Sequence, residues 1–272
     1  MKQRLDVLLV ARGFFASREQ ARSAILAGHV FINGRAADKP GRMVEENVLI
    51  EVRERLPYVS RGGLKLAHAI KVFNLDLRDK AVIDVGASTG GFTDCALQHG
   101  ARKVYAVDVG YGQLAWKLRT DPRVILLERT NIRYLDPRRL DEEPDFATVD
   151  VSFISLARVL PKLDAILQPA GEGVCLVKPQ FEAGRDKVGK KGVVRDAAVH
   201  EEVLRNVCGV MDALGWVIKG IDFSPLLGPE GNIEFLVYFS KRGTPQDDWR
   251  KLIPEVVRRA HATLYRAEDG SA

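Results

Sequence analysis

The sequence predicts an α/β protein with a doubly wound, mostly parallel sheet, preceded by a small α+β domain. From residue 80 onward, short apolar runs alternate with segments of helical apolar spacing, and this alternation is typical of parallel sheets. The last two predicted strands have only a Gly- and Pro-rich stretch between them. We therefore expect an antiparallel strand at one edge of the sheet. A change of character near residue 55 predicts the separate N-terminal domain.

The N-terminal part has the signals of two short helices and a hairpin. Ser17 and Gln20 have the spacing of a capping box, and Gly28 is placed to end the helix that they begin. The pair Asn33-Gly34 is a strong signal for a hairpin turn. A core of this size gives little stability by itself, so such a unit is normally a recognition module attached to a larger domain.

The predicted boundaries follow from this change of pattern. We expect a first domain at residues 1–55, a linker at 56–62 that contains Pro57, and a second domain at 63–272. In the second domain the predicted strands are 81–85, 104–107, 124–127, 146–149, 174–177, 216–223 and 234–239. The predicted helices are 63–73, 93–99, 113–118 and 155–167, with a polar helix from about residue 247.

Composition allows a nucleic-acid partner but does not require one. Lys and Arg number 41 against 36 Asp and Glu, which gives a net charge of +5, and many mildly basic proteins bind no nucleic acid. The cysteines fit no metal-ligand spacing and are expected to be small core residues: Cys95, Cys175 and Cys208. No apolar stretch approaches the ~18 residues that span a bilayer. We expect a cytoplasmic protein without a metal site or membrane partner.

The sharpest motif is the turn from Asp84 to Thr93, Asp-Val-Gly-Ala-Ser-Thr-Gly-Gly-Phe-Thr, between a predicted strand and a helix. Its small residues let the backbone approach a ligand, and a helix N-terminus offers free N–H groups. A dinucleotide fold would have a second glycine where Ser88 stands. The pattern instead resembles the first motif of class I methyltransferases, in which the strand-end carboxylate faces the methionine part of S-adenosylmethionine.

Other polar residues follow the neighbouring strands. Asp108 ends the next strand, where a carboxylate can accept both hydroxyls of an adenosine ribose. Asn131 and Asp150 would continue the cofactor rim, although a helix cap explains Asn131 almost as well. The residues expected to bind the cofactor are Asp84, Gly86, Ser88, Thr89, Gly90, Gly91, Phe92, Asp108, Asn131 and Asp150.

Two absences point to oxygen as the methyl acceptor. The fourth strand ends in Asp150-Val-Ser-Phe153, not in the Asp/Asn-Pro-Pro-Tyr of amino-methylating enzymes. The sequence also has no Pro-Cys pair that could supply a nucleophile against a pyrimidine carbon. A hydroxyl is a weak acid, so its methylation needs a base or a charge that stabilises the forming alkoxide.

The chain resembles the TlyA family, whose catalytic domain is similar to the FtsJ-type ribose 2′-O-methyltransferases with a Lys-Asp-Lys-Glu tetrad. The matching residues are Lys65 in Ser-Arg-Gly-Gly-Leu-Lys-Leu, Asp150, Lys178 in Leu-Val-Lys-Pro-Gln-Phe-Glu, and Glu234 in Asn-Ile-Glu-Phe-Leu-Val-Tyr. The resemblance implies that Lys178 orients or deprotonates the hydroxyl. Asp150 and Glu234 would hold the two amines in place and offset their charge.

The N-terminal segment resembles the α-L RNA-binding module of a small-subunit ribosomal protein and of pseudouridine synthases. Its Arg4, Arg18, Arg22 and Arg35 could follow RNA phosphates, although scattered arginines are usually only a solvated surface. A second basic stretch at 184–192 is expected to be a mobile loop that clamps RNA through Lys187, Lys190 and Lys191.

Family resemblance implies a ribosomal RNA cytidine as the target, in one or both ribosomal subunits. Two alternatives stay open. Proteins that resemble this family are often labelled haemolysins, which suggests a membrane-lytic protein. The chain could also be a non-catalytic RNA-binding or ribosome assembly factor. The sequence does not give the oligomeric state.

Overall fold

The computed structural model describes residues 2–26, 29–37, 39–52, 57–189, 191–228, 230–244 and 248–265. Within it the chain divides into two units, Met1–Pro57 and Tyr58–Ala272. Each unit has its own hydrophobic core, and the second has one on either face of its sheet.

The N-terminal unit packs two helices on two small sheets. In chain order its elements are β1 (Lys2–Arg4), α1 (Leu5–Ala11), α2 (Arg18–Leu26), β2 (Val30–Ile32), β3 (Arg35–Ala36), β4 (Met43–Glu45) and β5 (Ile50–Val52). Strand β1 pairs with β4, and β3, β2 and β5 form a three-stranded sheet. The core includes Leu5, Leu9 and Ile25 from the helices and Val30 from the sheet.

Local signals in this unit act much as the sequence predicts. Ser17 Oγ accepts a hydrogen bond from the Gln20 N–H at 3.2 Å, which caps α2. Gln20 Oε1 accepts from the N–H of Ala16, one residue before the predicted cap. Asn33 and Gly34 both have positive φ, 47° and 75°, as a two-residue hairpin turn requires. The predicted end of α2 at Gly28 lies outside the described residues.

The second unit is an α/β domain with a seven-stranded sheet. Its strands are β6 (Ala81–Val85), β7 (Lys103–Val107), β8 (Val124–Leu127), β9 (Phe146–Val149), β10 (Glu172–Val177), β11 (Val217–Phe223) and β12 (Phe235–Ser240). Its helices are α3 (Gly62–Val72), α4 (Gly91–Gln98), α5 (Trp116–Arg119), α6 (Leu160–Asp164), α7 (Pro179–Glu182), α8 (Ala197–Ala213) and α9 (Trp249–Leu264). The strand order is β11-β12-β10-β9-β6-β7-β8.

The sheet confirms the predicted doubly wound fold. Strands β8, β7, β6, β9 and β10 are parallel neighbours. Helices α3, α4 and α5 contribute to the core on one face, and α6, α8 and α9 contribute to the core on the other. The predicted antiparallel pair, β11 and β12, lies at one edge. Strand β12 lies between β10 and β11 and runs antiparallel to both. The edge strand is therefore β11, and the antiparallel strand is its neighbour.

The second unit begins at Tyr58, inside the segment 56–62 that was predicted to be a linker. A Cβ atom on Gly63 would overlap the side chain of Tyr58, so the missing side chain leaves room for that tyrosine. The N–H of Val59 donates to Asp94 Oδ2 on α4 at 2.8 Å. Residues 58–60 are therefore packed on the second unit, and the spacing of apolar residues does not reveal such a contact.

Candidate active site

A tight turn between β6 and α4 forms the floor of the site. Gly86 has a φ of +86°, and a Cβ atom there would overlap the carbonyl oxygen of Asp150. Its N–H donates to the carbonyl of Val107 at 2.9 Å. Gly90 has a φ of +95° and lies against Leu118. Glycine is required at both positions because a side chain would be strained and would collide with its neighbours.

Asp84 has a different place from the expected one. Its carboxylate is fully buried and lines no described cavity; it accepts hydrogen bonds from Thr93 Oγ1 at 2.6 Å and Thr148 Oγ1 at 2.9 Å. Burial raises the pKa of Asp84 to about 6, although the two threonine hydrogen bonds oppose this. Asp84 thus joins the first turn of α4 to β9, and these two hydrogen bonds support the glycine turn between β6 and α4.

A cavity of about 520 Å³ lies at the carboxyl ends of β6, β7, β8 and β9. Gly86, Ser88, Asp108, Asn131 and Asp150, all expected cofactor residues, line it. The carboxylate of Asp108 accepts from the backbone N–H groups of Ser88 at 2.8 Å and Gly110 at 2.7 Å. It is therefore held rigidly beside the glycine turn, and the volume is within the range of sites for small ligands.

Asn131 caps a short turn, one of the two roles that the sequence left open, and its cofactor role stays a prediction. Its Oδ1 accepts from the N–H of Arg133 at 3.1 Å and caps a 3-10 turn, Ile132–Tyr134. The residue also lines the larger cavity. The other residues that line the larger cavity were not predicted from the sequence: Val85, Val107, Val109, Gln113, Thr130, Ile132, Arg133, 151–154 and Val159.

A second cavity, of about 190 Å³, brings the four predicted tetrad residues together. It shares Gly86, Ser88 and Asp150 with the larger cavity, so the two adjoin at the glycine turn. Thr89, Gly91 and Phe92 also line it. Of the predicted cofactor residues, Asp84 and Gly90 are the two that line neither cavity.

The tetrad consists of two ion pairs. Lys65 Nζ, on α3, lies 2.5 Å from Glu234 Oε2, and both side chains are buried. Burial raises the pKa of Glu234, while the positive charge of Lys65 opposes the shift. Glu234 Oε1 has no hydrogen-bond partner among the described groups. This oxygen is buried, and a Cβ atom on Gly228 would overlap it.

The second pair joins the ends of β9 and β10. Lys178 Nζ lies 2.5 Å from Asp150 Oδ1, a close ion pair rather than an aligned hydrogen bond. The same amine donates to Ser152 Oγ at 2.9 Å. The sequence analysis did not assign a role to Ser152, although it stands two residues after Asp150. Each lysine of the tetrad thus has a carboxylate partner.

Phe153 stands at the mouth of the larger cavity in an unusual conformation. Its φ is +64° and its surface is 90% exposed, and a bulky residue adopts this backbone region only at a cost. Its ring centroid lies 4.9 Å from that of Phe181. The exposed ring of Phe153 therefore packs on the half-buried Phe181 of α7, a contact that was not predicted from the sequence.

Glu182 joins the same two loops. Its carboxylate accepts from Ser155 Oγ at 2.7 Å and from the N–H of Leu156 at 2.8 Å. Burial raises the pKa of Glu182, and the two hydrogen bonds oppose that effect. The last residue of the Lys-Pro-Gln-Phe-Glu segment thus fixes the loop that follows Asp150.

The basic residues of the N-terminal unit fall into two groups. Arg4 and Arg18 both donate to the buried carboxylate of Asp6, at 3.0 Å. The paired guanidinium of Arg4 lowers the pKa of Asp6 to about 2. Arg22 and Arg35 are exposed and form no ion pair with a described residue.

The predicted RNA clamp is partly ordered by internal contacts. Residues Arg185–Lys187 form a 3-10 turn, and Lys187 Nζ pairs with Glu202 on α8 at 2.5 Å. The N–H of Val194 donates to Asn232 Oδ1 at 2.9 Å, which anchors the end of the stretch. Lys191 is exposed, and Lys190 lies outside the described residues.

Comparison with known proteins shows which class of protein has this fold and site. Residues 58–241 match the FtsJ-like methyltransferase family. The strand order with its inserted antiparallel strand, the glycine turn and the two cavities define a class I methyltransferase. Residues 3–50 match the S4 domain.

Relatives that cover nearly the whole chain narrow the class. The 16S/23S rRNA (cytidine-2′-O)-methyltransferase TlyA of Mycobacterium tuberculosis is 45% identical, over 87% of this chain and 89% of that protein. YqxC of Bacillus subtilis, provisionally named an rRNA methyltransferase, is 52% identical over 97% and 95%. A solved structure from Streptococcus thermophilus, provisionally described as a hemolysin, is 49% identical over 98% of both chains, with a TM-score of 0.78. The chain belongs to the TlyA family of FtsJ-like methyltransferases.

One relative is described provisionally as a hemolysin, and the membrane-lytic alternative raises the question of membrane-spanning segments. In the part of the chain that the structure describes, no helix is both long and apolar enough to cross a membrane.

Proposed function

We propose that this protein transfers a methyl group from S-adenosylmethionine to the ribose 2′-hydroxyl of a cytidine in ribosomal RNA. The observation that carries the proposal is the cavity in which Lys65, Glu234, Lys178 and Asp150 meet beside the glycine turn. The rRNA cytidine is the target that the name of the Mycobacterium tuberculosis relative gives for that protein.

The larger cavity fits the methyl donor. Asp108 is held by two backbone N–H groups, and its carboxylate accepts the ribose hydroxyls of the adenosine part. Gly86 leaves the backbone open to close approach by the ligand. The donor supplies a methyl group on a sulfonium, which is already reactive toward an aligned nucleophile.

The smaller cavity supplies the groups that a hydroxyl nucleophile needs. Lys178 Nζ, fixed by Asp150 and Ser152, donates a hydrogen bond to the hydroxyl oxygen and stabilises negative charge as that oxygen loses its proton. The carboxylate of Glu234, which lines the same cavity, takes up the hydroxyl proton. Lys65 holds this carboxylate in place through Oε2.

The S4 domain adds affinity for RNA. Arg22 and Arg35 are exposed and form no ion pair with a described residue, so they are available for phosphates, whereas Arg4 and Arg18 are paired with Asp6. Binding of this kind weakens as salt concentration rises, because phosphate contacts release counterions.

Methyl transfer from labelled S-adenosylmethionine to purified ribosomal subunits, followed by mapping of the modified nucleotide, tests the proposal. We expect Lys178→Ala to lower the rate constant of transfer at least a hundredfold, the lower range for loss of an acid–base group. Calorimetry should show S-adenosylmethionine binding within about threefold of wild type, since Lys178 does not line the larger cavity.

Two results would contradict the proposal. Near-normal transfer by Lys178→Ala would exclude the tetrad from the chemistry. Absence of any transfer by the wild type, with RNA bound normally, would favour a non-catalytic RNA-binding or assembly factor. A liposome-leakage assay on the same purified protein tests the membrane-lytic alternative directly.

A further inference from the structure

The exposed aromatic side chains of the second unit are concentrated at the sheet edge that holds the site. Among the described residues from 58 to 265, four aromatic side chains are largely exposed: Tyr111, Trp116, Tyr134 and Phe153. They all lie in the segments that follow β7, β8 and β9. Phe153 belongs to the site already described; we call the other three the aromatic rim. Exposed apolar surface that is concentrated in one region marks a binding surface.

Backbone contacts place the aromatic rim beside the cavities. The N–H of Ala115, just before Trp116, donates to the carbonyl of Thr89 in the glycine turn at 3.1 Å. The N–H of Tyr134 donates to the carbonyl of Asn131, a residue that lines the larger cavity, at 2.9 Å. None of the three rim side chains lines either cavity.

The segment that carries Tyr111 and Trp116 is held rigidly. Glu128 accepts from the N–H of Gly112 at 2.7 Å and from Arg119 at 2.6 Å. The N–H of Arg129 donates to the carbonyl of Gly110 at 3.0 Å. Trp116 is 77% exposed and Tyr111 65% exposed on this fixed frame. A rigid aromatic platform binds a flat partner at a low cost in conformational entropy.

The rim also carries positive charge that no ion pair with a described residue neutralises. The guanidinium of Arg129 lies 4.3 Å from the ring centroid of Tyr111, and that of Arg133 lies 5.2 Å from the centroid of Tyr134. Neither arginine forms an ion pair with a described residue. Nearby, by contrast, Arg119 pairs with Glu128 and Arg138 pairs with Asp136. The cations beside the rings are therefore those left available for an anionic ligand.

We propose that the aromatic rim binds unpaired nucleotides of the substrate RNA that flank the target ribose. Bases stack on Tyr111, Trp116 and Tyr134, and phosphates face Arg129 and Arg133. The pairing of aromatic faces with uncompensated cations is the combination that binds single-stranded nucleic acid. The same uncompensated charge favours a polyanion over a protein surface. This inference rests on the proposed function, because it takes RNA as the substrate.

Variants of the full-length chain separate aromatic stacking from apolar area. Trp116→Leu should weaken binding of a fluorescent single-stranded 12-mer oligocytidylate roughly 5- to 100-fold, the range for loss of one stacked base. Trp116→Phe keeps an aromatic face and should stay within about threefold of wild type. Arg129→Gln should reduce the slope of log affinity against log salt by about 0.7, the value for one phosphate contact on a single strand.

Arg138→Gln is the matched control for Arg129→Gln. It removes a neighbouring arginine that is already paired, and should leave both the affinity and the salt slope unchanged. S-adenosylmethionine affinity, measured by calorimetry, should be the same in every variant and shows that the sites remain folded. Equal oligonucleotide affinity for wild type, Trp116→Leu and Tyr111→Leu would contradict the proposal that the aromatic rim binds RNA.

Methyl transfer to ribosomal subunits, measured in the same preparations, keeps the two proposals apart. If the wild type transfers methyl groups and Trp116→Leu binds RNA normally, only the rim is excluded. If the wild type binds the oligonucleotide through the rim but transfers no methyl group, the rim stands and the proposed function fails.

Discussion

The Lys65–Glu234 ion pair of the candidate site affects the free energy of unfolding. Both side chains are buried, and a buried ion pair repays the loss of hydration only when its geometry is close. Removal of one partner leaves a buried charge without its counterion, which typically costs 3–5 kcal/mol. Removal of both partners avoids that penalty. The contribution of this ion pair to the free energy of unfolding can therefore be measured separately from its contribution to catalysis.

A double-mutant cycle measures this separation. We expect Lys65→Met and Glu234→Gln each to lower the free energy of unfolding by about 3 kcal/mol. The double variant should lose clearly less than the sum, because neither charge remains. Urea unfolding followed by circular dichroism gives the four values. Methyl transfer should stay low in all three variants, and additive losses of stability would contradict the coupling.

At the residue scale, strand ends were predictable and local backbone conformations were not. Asp150 and Lys178 follow apolar runs that could only be buried strands, so their meeting at one sheet edge follows from the parallel topology. Their roles came from family resemblance and remain proposals. Phe153 was missed because its positive φ depends on tertiary contacts that no sequence spacing encodes. Asp84 was expected at the ligand, yet its side chain points to Thr93 and Thr148.

At the element scale, the short helix α7 controls the loop that follows β9. Glu182 ends α7 and accepts hydrogen bonds from Ser155 and Leu156, so α7 is joined directly to the segment that follows Asp150. Loss of this link should change the alignment of Lys178 and Asp150 more than it changes binding of the methyl donor. A displacement of about 1 Å can lower a rate about a hundredfold.

Glu182→Gln and Glu182→Ala test this coupling. We expect Glu182→Ala to lower kcat by about tenfold or more while KM for S-adenosylmethionine changes little. Glu182→Gln keeps an acceptor oxygen and should lie between that variant and wild type. Glu201→Gln, which removes a surface partner of Arg205 on α8, is the control and should behave as wild type. A fall in kcat and a rise in KM of equal size would instead indicate general loosening of the domain.

Strands were easier to predict than helices. The runs 81–85, 124–127 and 146–149 agree with the structure residue for residue, because each is a short, mostly apolar run bounded by polar or turn residues. The predicted helix 155–167 is broken into a 3-10 turn, Leu156–Arg158, and the short helix α6, which has a proline in its first turn. Helix α8 was missed, although Asp196 caps it through the N–H of Ala198.

At the scale of the whole molecule, a pair of histidines ties the C-terminal helix to the rest of the second unit. His200 on α8 is fully buried, and its Nε2 lies 3.0 Å from the carbonyl oxygen of Val194. Its Nδ1 lies 2.9 Å from His261 Nε2 on α9. Nε2 must donate to the carbonyl, so Nδ1 accepts from His261. A proton added to Nδ1 would place two N–H groups against each other.

This arrangement makes stability depend on pH in a defined direction. Burial, helped by His261, lowers the pKa of His200 from 6.5 to about 4. Between these values the unfolded chain binds a proton that the folded protein does not, so the free energy of unfolding falls as pH falls. From pH 7.5 to pH 5 the loss from this residue is about 2 kcal/mol. Above about pH 7.5 it contributes little pH dependence.

His200→Gln should remove this dependence while an amide N–H still faces the carbonyl of Val194. We expect the fall in unfolding free energy between pH 7.5 and pH 5, measured by urea titration, to be about 2 kcal/mol smaller in this variant than in wild type. Arg205→Gln, on the exposed side of the same helix, should show the wild-type fall. If His200→Gln and wild type lose the same free energy over this range, His200 is protonated in the folded state, and the hydrogen-bond directions between α8 and α9 must be reversed.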